Sequence, residues 1–118
     1  MSIVNEQWLF INDVAKLIQF AANKGYVLTG GELYRSEEQQ KIYVQTGRSQ
    51  TMLSNHIKRL AIDFNVFVNN ELTYDWDKIK VLGDYWEGLS PLNRWGGDWN
   101  KNEVKDGFMD CPHFERNI

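Results

Sequence analysis

The amino-acid sequence predicts a small α+β protein, and three observations support this prediction. The chain has 118 residues, the length of one ordinary domain, and 42% of them are hydrophobic, which is enough for one core. Segments with the three- and four-residue spacing of amphipathic helices alternate with short apolar segments typical of strands. No internal repeat, low-complexity tract or linker interrupts them, so we expect a single domain over residues 1–118.

Two helices are predicted in the first half of the chain. Apolar residues recur at helical spacing over residues 8–22, and Gly25 follows as a stop signal. Ser36 and Gln39 have the spacing of a capping box, in which side chains satisfy the first backbone N–H groups of a helix. We therefore expect the second helix over residues 37–45.

A third helix and three strands complete the predicted elements. Asp75 is a favourable N-cap for a helix over residues 76–87. Residues 60–68 carry a nearly continuous apolar run and are predicted to form the main strand. Shorter strands are predicted over residues 26–29 and 108–115.

The remaining segments are predicted to be turns and loops. Asn69 and Asn70 form a turn directly after the main strand. Residues 48–53 are a polar loop, and residues 91–102 are a loop rich in Trp and Gly. These two loops precede the two segments of the chain that contain histidine.

Charge and hydropathy exclude two classes of partner. The formal net charge is -3 at pH 7, whereas nucleic-acid binding depends on clustered Lys and Arg. No run approaches the roughly 18 apolar residues that a membrane span requires. We therefore expect no nucleic-acid partner and no membrane insertion, and we expect the protein to be a monomer.

Cysteine content and the N-terminal segment indicate a compartment. Cys111 is the only cysteine, so no internal disulfide can form, and its thiol is predicted to be buried. Polar and charged residues interrupt the N-terminal segment, which therefore lacks the apolar stretch of a secretory signal. We expect the protein to be cytoplasmic when it is made.

The two histidines lie near acidic residues in otherwise apolar segments. His56 is followed by Asp63 in the main strand, and His113 is preceded by Asp110. A carboxylate in such a strand is costly to bury without a partner, and a metal ion is one such partner. Two imidazoles and one carboxylate suit Zn²⁺ with a fourth position open for water, which Asp110 could deprotonate. From spacing alone, half-buried histidines hydrogen-bonded to their neighbours remain the alternative.

Four short blocks occur in a characteristic order. They are Tyr34-Arg35-Ser36-Glu37-Glu38-Gln39-Gln40, Ser54-x-His56 with Ala61-x-Asp63, Trp95-Gly96-Gly97, and Asp110-x-x-His113. Together they resemble the M15 zinc peptidases, which cut peptidoglycan cross-peptides. That family includes D-Ala-D-Ala carboxypeptidases and dipeptidases, and the L-alanyl-D-glutamate endopeptidases that phages use as endolysins. The resemblance spans residues 30–115.

The resemblance implies a fold and a metal site. The fold would be that of the Hedgehog and D-Ala-D-Ala peptidase group, a small antiparallel sheet with helices packed on one side. His56, Asp63 and His113 would be the ligands of a Zn²⁺ cofactor, and Asp110 would be the general base. Two alternatives remain for the carboxylates: Asp110 could only orient His113, and Glu115 is a rival base.

The resemblance also implies a set of residues around the substrate. Arg35 would bind the substrate or stabilise the oxyanion that develops at the scissile carbonyl. Ser54 and Gln40 would lie near the bound peptide, and Trp95 is a further candidate for binding it. Arg35 could instead form a surface ion pair with a neighbouring Glu, and Trp95 could instead be a core or cleft-wall aromatic residue.

One position departs from the family pattern. Many members have Gly between the first His and the Ala-x-Asp, where this chain has Arg59. Gly eases a backbone bend or a close approach of two segments. Arg59 is therefore expected to change the local backbone or the shape of the nearby cleft.

The implied function is zinc-dependent hydrolysis of a peptide bond in bacterial peptidoglycan stem peptides. An L-Ala-D-Glu endopeptidase of the phage or prophage endolysin type is the leading interpretation, acting on the cell wall after release through a membrane lesion. A D,D- or L,D-carboxypeptidase is the first alternative, with Arg48 or Arg59 holding the terminal carboxylate of the substrate. A non-catalytic, metal-containing binding module, as in Hedgehog signalling domains, is the second.

Overall fold

The computed structural model describes residues 2–47, 54–101 and 109–118, and these form three helices and five strands. The helices are α1 (Ile3–Asn23), α2 (Glu37–Gln45) and α3 (Trp76–Leu89). The strands are β1 (Val27–Gly30), β2 (Ala61–Val68), β3 (Glu71–Thr73), β4 (Asn93–Trp95) and β5 (His113–Arg116). None of the described helices has the length and hydropathy needed to cross a membrane.

Side-chain caps define where the helices begin. Ser36 Oγ accepts a hydrogen bond from the backbone N–H of Gln39, and α2 covers the predicted residues 37–45. Ser2 caps α1 in the same way, so that α1 begins at Ile3 rather than at residue 8. Apolar spacing alone places this start too late because it ignores the cap.

The five strands form one antiparallel sheet around β2. β1 pairs with one edge of β2, while β5 and β3 pair with the other edge. β4 pairs with the outer edge of β5. The register places Asp63 opposite His113, so two of the sequence blocks meet across one pair of strands. The predicted α+β class with a small antiparallel sheet is confirmed.

Two strands of the structure, β3 and β4, are not predicted from the sequence, whereas the predicted turn at residues 69–70 is present. Asn69 and Asn70 have φ values of 53° and 66°, the left-handed conformation of a two-residue hairpin turn, and β3 follows at once. β4 lies inside the predicted loop 91–102, where β5 supplies its backbone partners. The predicted polar loop 48–53 lies outside the described residues.

The C-terminal strand begins later than predicted. A turn at Cys111 precedes it, and the backbone N–H of His113 donates to the carbonyl of Asp110 at 3.0 Å. The predicted strand start at residue 108 lies outside the described residues. Cys111 is 7% exposed, as the prediction of a buried thiol requires.

One hydrophobic core lies between the sheet and the helices α1 and α3. Phe64 and Val66 of β2 and Phe114 of β5 belong to it and are at most 4% exposed. Trp86 of α3 contacts the rings of Phe10 and Phe114 edge to face. Each buried side chain of this size contributes about 1.5–3 kcal/mol.

The residues between these core positions carry the polar side chains of the sheet. Successive side chains of a strand point to opposite faces, so Asp63 of β2 and His113 and Glu115 of β5 lie on the face away from the core. The fold therefore separates a packed face of the sheet from a face that is available for chemistry.

Candidate metal centre

Three side chains converge on the polar face of the sheet. Nε2 of His56 lies 3.2 Å from Nδ1 of His113 and 3.4 Å from Oδ1 of Asp63. Nδ1 of His113 lies 3.3 Å from the same oxygen. A tetrahedral zinc ion with ligands at about 2.0–2.1 Å requires ligand atoms about 3.3–3.4 Å apart. The three distances fit this requirement, so the group could hold a metal ion.

Hydrogen bonds behind the two imidazoles fix which nitrogen faces the centre. Nδ1 of His56 donates to the backbone carbonyl of Leu33 at 2.8 Å. Nε2 of His113 donates to Oε1 of Glu115, also at 2.8 Å. Each neutral ring therefore presents an unprotonated nitrogen to the other ring and to Asp63. These two nitrogens and Oδ1 of Asp63 are all acceptors, and they repel each other unless a cation lies between them.

When no metal is bound, the contacts of His113 with Asp63 and Glu115 favour a proton on its ring. Burial alone would lower the pKa of His113, but hydrogen bonds with Asp63 and Glu115 outweigh it and raise the pKa to about 9. Burial would raise the pKa of Asp63, yet hydrogen bonds with His113 and His56 hold it well below its usual range. A metal ion at this site competes with protons for the same lone pairs.

His56 lies in a turn that leads into β2. The backbone N–H of Arg59 donates to the carbonyl of His56 at 3.2 Å, and the φ of Arg59 is 58°, in the left-handed region that favours Gly. Arg59 therefore adopts the bend for which a Gly would be the natural choice. Its guanidinium lies over the ring of Tyr34, with Cζ 4.3 Å from the ring centroid.

Asp110 lies beside the three candidate ligands. Its Oδ2 is 4.0 Å from Nδ1 of His113, and its side chain is 40% exposed. Burial raises the pKa of Asp110 above its usual value, against the attraction of His113. A bound cation would lower this pKa again. The exposed position suits a group that exchanges protons with a bound molecule.

Gly96 holds the turn that carries Asp110. Its N–H donates to the carbonyl of His113 at 2.7 Å, and its carbonyl accepts from the N–H of Asp110 at 2.8 Å. A Cβ at residue 96 would overlap the Asp110 carbonyl, so this approach requires Gly. The Trp-Gly-Gly block therefore fixes the backbone around Asp110 and His113.

Arg35 is held in place by four neighbouring side chains. Its Nε donates to Oε1 of Glu32 at 2.5 Å. Its Nη1 donates to Oε1 of Gln40 at 2.6 Å and to Oγ of Ser54 at 3.4 Å. The ring of Tyr43 lies 4.6 Å from its Cζ, and the Tyr43 hydroxyl donates to Glu32. The ion pair with Glu32 is present, but it is partly buried rather than a surface contact.

A cavity of about 230 Å³ opens at this site. It is lined by Glu32, Arg35, Tyr43, Asp63 and Asp110. One candidate metal ligand, the candidate base and the guanidinium thus border the same space. A molecule bound there would lie within reach of all three.

The predicted substrate contacts lie behind the cavity. Trp95 and Gln40 are both 0% exposed, Trp95 in the core and Gln40 against Arg35. Neither side chain has surface left for a ligand, so Gln40 lies near the cavity only through Arg35, and Trp95 takes the core position that was its alternative. Ser54 is 8% exposed, and its Oγ accepts from the N–H of His56 as well as from Arg35.

Glu115 lies behind His113 rather than in the cavity. It is 3% exposed, and its Oε2 accepts from Asn55 at 2.9 Å and from Arg94 at 2.8 Å. The alternative of Glu115 as the base is therefore excluded by its position. The two-residue spacing of His113 and Glu115 on a strand is the signal that predicts their contact. The carbonyl of Leu33 gives no sequence signal, since any residue supplies one.

Fold and site together define the class as a small α+β protein with a His56, Asp63 and His113 group that could hold a metal ion beside a cavity. The sequence model of the family described as phage L-alanyl-D-glutamate peptidase matches residues 4–116. The chain belongs to this family.

Two similar proteins have names that agree with this family. The L-alanyl-D-glutamate peptidase of Listeria phage A118 is 36% identical over 107 residues, which cover 86% of this chain and 34% of that relative. The chain thus spans about a third of the length of this relative. The crystal structure of Serratia marcescens L-Ala D-Glu endopeptidase ChiX matches with a TM-score of 0.65 and 25% identity, over 90% of this chain and 79% of that one.

Proposed function

We propose that this chain hydrolyses the peptide bond between L-Ala and D-Glu in the stem peptides of bacterial peptidoglycan, with Zn²⁺ as its cofactor. The observation that carries the proposal is the convergence of His56, Asp63 and His113 at a cavity, in a chain of the phage L-alanyl-D-glutamate peptidase family. The two relatives are an L-alanyl-D-glutamate peptidase and an L-Ala D-Glu endopeptidase. Their shared bond specificity supports the same substrate here.

His56, Asp63 and His113 would hold the metal through two imidazole nitrogens and one carboxylate oxygen. When bound, the ion polarises the scissile carbonyl and lowers the pKa of a water molecule. Asp63 also lines the cavity, so a peptide bound there lies beside the metal ligands.

Asp110 would act as the general base and then as the general acid. Its carboxylate takes a proton from the attacking water as the new C–O bond forms, and returns it to the amine nitrogen of D-Glu as the C–N bond breaks. The products are the free carboxylate of L-Ala and the free amine of D-Glu. The position of Asp110 on the cavity wall, 4.0 Å from His113, supports this role.

Arg35 would donate hydrogen bonds to the oxygen of the scissile carbonyl as negative charge develops on it. Glu32, Gln40 and Ser54 hold the guanidinium before any substrate binds. A donor that is already oriented stabilises the developing charge without the cost of reorganisation.

The alternative of a carboxypeptidase has less support. Its substrate ends in a carboxylate, which needs a free cation nearby. Among the described residues that line the cavity, Arg35 is the only cation, and the proposed mechanism uses it for the oxygen of the scissile carbonyl, so no second cation of this lining remains for a terminal carboxylate. Arg59 stacks on Tyr34, and Arg48, the other residue named for this role, lies outside the described residues.

The alternative of a binding module also has less support. A module without catalysis has no need for a carboxylate beside its metal, yet Asp110 occupies that position. We further propose that the protein acts on the wall after release through a membrane lesion, as a monomer without a nucleic-acid partner. The net charge of -3 supports the last point.

The test is mass spectrometry of purified peptidoglycan after digestion by the zinc-loaded protein, beside His113→Ala and the matched surface variant Lys80→Ala. We expect fragments that end in L-Ala and others that begin with D-Glu, from the wild type and Lys80→Ala only. Loss of terminal D-Ala alone would establish a carboxypeptidase. Intact peptidoglycan from protein that holds zinc would establish a binding module.

A further inference from the structure

We propose that Glu115 is a positioning residue of the metal centre, which acts through His113 and also ties down the segment that carries His56. The inference rests on the proposed zinc site, because a positioning role requires a metal to receive the ligand. Glu115 does not reach the cavity, so it is not a catalytic residue.

The carboxylate of Glu115 divides its two oxygens between different partners. Oε1 accepts from Nε2 of His113 at 2.8 Å. Oε2 accepts from Nδ2 of Asn55 at 2.9 Å, and from Nη2 and Nε of Arg94 at 2.8 and 3.1 Å. Both oxygens are therefore engaged, and the buried negative charge faces a guanidinium. This arrangement holds the carboxylate in one orientation.

Three separate segments meet at this one side chain. Asn55 directly precedes His56 in the turn before β2. Arg94 of β4 lies opposite Glu115 of β5 in the strand register. Loss of the carboxylate would therefore loosen the support of both histidines at once, although only His113 touches it directly.

The ring of His113 also has two aromatic neighbours. The ring of Trp99 lies 5.0 Å from it, and the ring of His56 lies 4.9 Å from it. Arg94 reaches over Trp99, with Cζ 4.9 Å from the ring centroid. With Nε2 tied to Glu115, Nδ1 is the nitrogen that His113 offers to a metal. A carboxylate behind a ligating histidine fixes its tautomer and strengthens its donation to the metal.

The test measures zinc affinity in Glu115→Ala and Glu115→Gln, by competition with a chromogenic chelator at fixed pH. Asp13→Asn is the matched control, because Asp13 is another buried carboxylate, 8% exposed and bonded to Asn93 rather than to a histidine. Circular dichroism of the zinc-free variants reports folding. Nitrogen NMR of zinc-loaded protein reports how fast the hydrogen on Nε2 of His113 exchanges with solvent.

We expect Glu115→Ala to bind zinc about 10- to 100-fold more weakly than the wild type. Glu115→Gln keeps an acceptor oxygen but loses the charge, so its affinity should fall between the two. Asp13→Asn should lose stability and keep its zinc affinity. In zinc-loaded Glu115→Ala the Nε2–H of His113 loses its acceptor, so its hydrogen should exchange with solvent faster than in Asp13→Asn, a change that a merely structural role would not produce.

The inference is overturned if Glu115→Ala is folded and binds zinc within twofold of the wild type. If Glu115→Ala does not fold, Glu115→Gln decides alone: weaker binding supports the role, and unchanged binding overturns it. A wild-type chain that binds no zinc would overturn the proposed function as well. A wild-type chain that binds zinc as tightly as folded Glu115→Ala would overturn only this inference.

Discussion

Nε2 of His56 and Nδ1 of His113 face each other at 3.2 Å, and each ring is tied to an acceptor through its other nitrogen. Neither of the facing nitrogens can donate to the other while both rings are neutral, so the pair attracts a cation. Oδ1 of Asp63 adds a negative charge at 3.4 and 3.3 Å from these nitrogens. The centre therefore combines three lone pairs, from two nitrogens and one oxygen, that one divalent metal ion can bind together.

Zinc should stabilise the folded chain through these ligands. At a free zinc concentration about 100-fold above Kd, binding adds about 2.7 kcal/mol to the free energy of unfolding. Scanning calorimetry with and without zinc should show a Tm several degrees higher with zinc. His56→Ala should lose this shift, while Lys80→Ala, changed at an exposed helix pair, should keep it. A shift that persists in His56→Ala would contradict the ligand assignment.

Asp110→Asn should separate proton transfer from metal binding. The amide cannot accept the proton of the attacking water, so kcat should fall by about 10²- to 10⁴-fold. Zinc content should stay at the wild-type level, because Asp110 is not one of the three converging ligands. The measurements are stem-peptide turnover and metal analysis of the same sample. Full turnover with zinc bound would show that another group is the base.

Arg35→Lys should lower kcat and leave zinc affinity unchanged. A lysine cannot reproduce the fork that Glu32 and Gln40 hold, and the loss of one oxyanion donor costs about 10²- to 10³-fold. Gln40→Ala should act in the same direction by freeing the guanidinium. Tyr43→Phe is the matched control, since it keeps the ring beside Arg35 and removes only the hydroxyl. Equal kcat in Arg35→Lys and wild type would remove Arg35 from the mechanism.

Arg59→Gly should be more stable than Arg59→Ala. Both variants lack the guanidinium that stacks on Tyr34. The difference between their free energies of unfolding therefore reports the effect of the φ of 58° alone. Relief of left-handed strain, less the extra freedom of Gly in the unfolded chain, favours Arg59→Gly by about 0.5–1 kcal/mol. Urea denaturation measures the difference. An alanine variant as stable as the glycine variant would show that the turn opens without cost.

Glu87→Gln should be more stable than the wild type at neutral pH. Burial raises the pKa of Glu87, and Asp98 and Asp84 raise it further, against the hydrogen bond from Trp95 and the charge of Lys101. A carboxyl with a raised pKa binds its proton more tightly in the folded state, so stability falls as the pH rises from 4.5 through the folded pKa. Gln keeps an acceptor for the N–H of Trp95 without this loss.

Urea denaturation of wild type and Glu87→Gln at pH 7 and at about pH 4 tests whether stability falls with rising pH, as expected. The variant should have the larger free energy of unfolding at pH 7. The two values should converge at the lower pH, where Glu87 is protonated in the folded and the unfolded state. A constant difference at both pH values would mean that Glu87 does not titrate as the structure indicates.

Local signals made much of the fold predictable. The bounds of α2 follow from the Ser36 cap, and the main strand follows from its apolar run, because both depend on residues close in sequence. The candidate ligands His56, Asp63 and His113 follow from the ordered motif blocks. Their convergence is consistent with that order, since β2 and β5 pair directly.

The sequence by itself determined the α+β class, the helices and the identity of the converging residues, since spacing, caps and motifs are local properties. Only the tertiary structure decided which nitrogens face the centre, that Asn55 and Arg94 contact Glu115, and that Trp95 is core rather than a substrate contact. It also revealed β3 and β4, which have three residues each, too few for a recognisable periodicity. These features depend on contacts between residues far apart in sequence, such as Asn55 and Glu115, and no local pattern encodes such contacts.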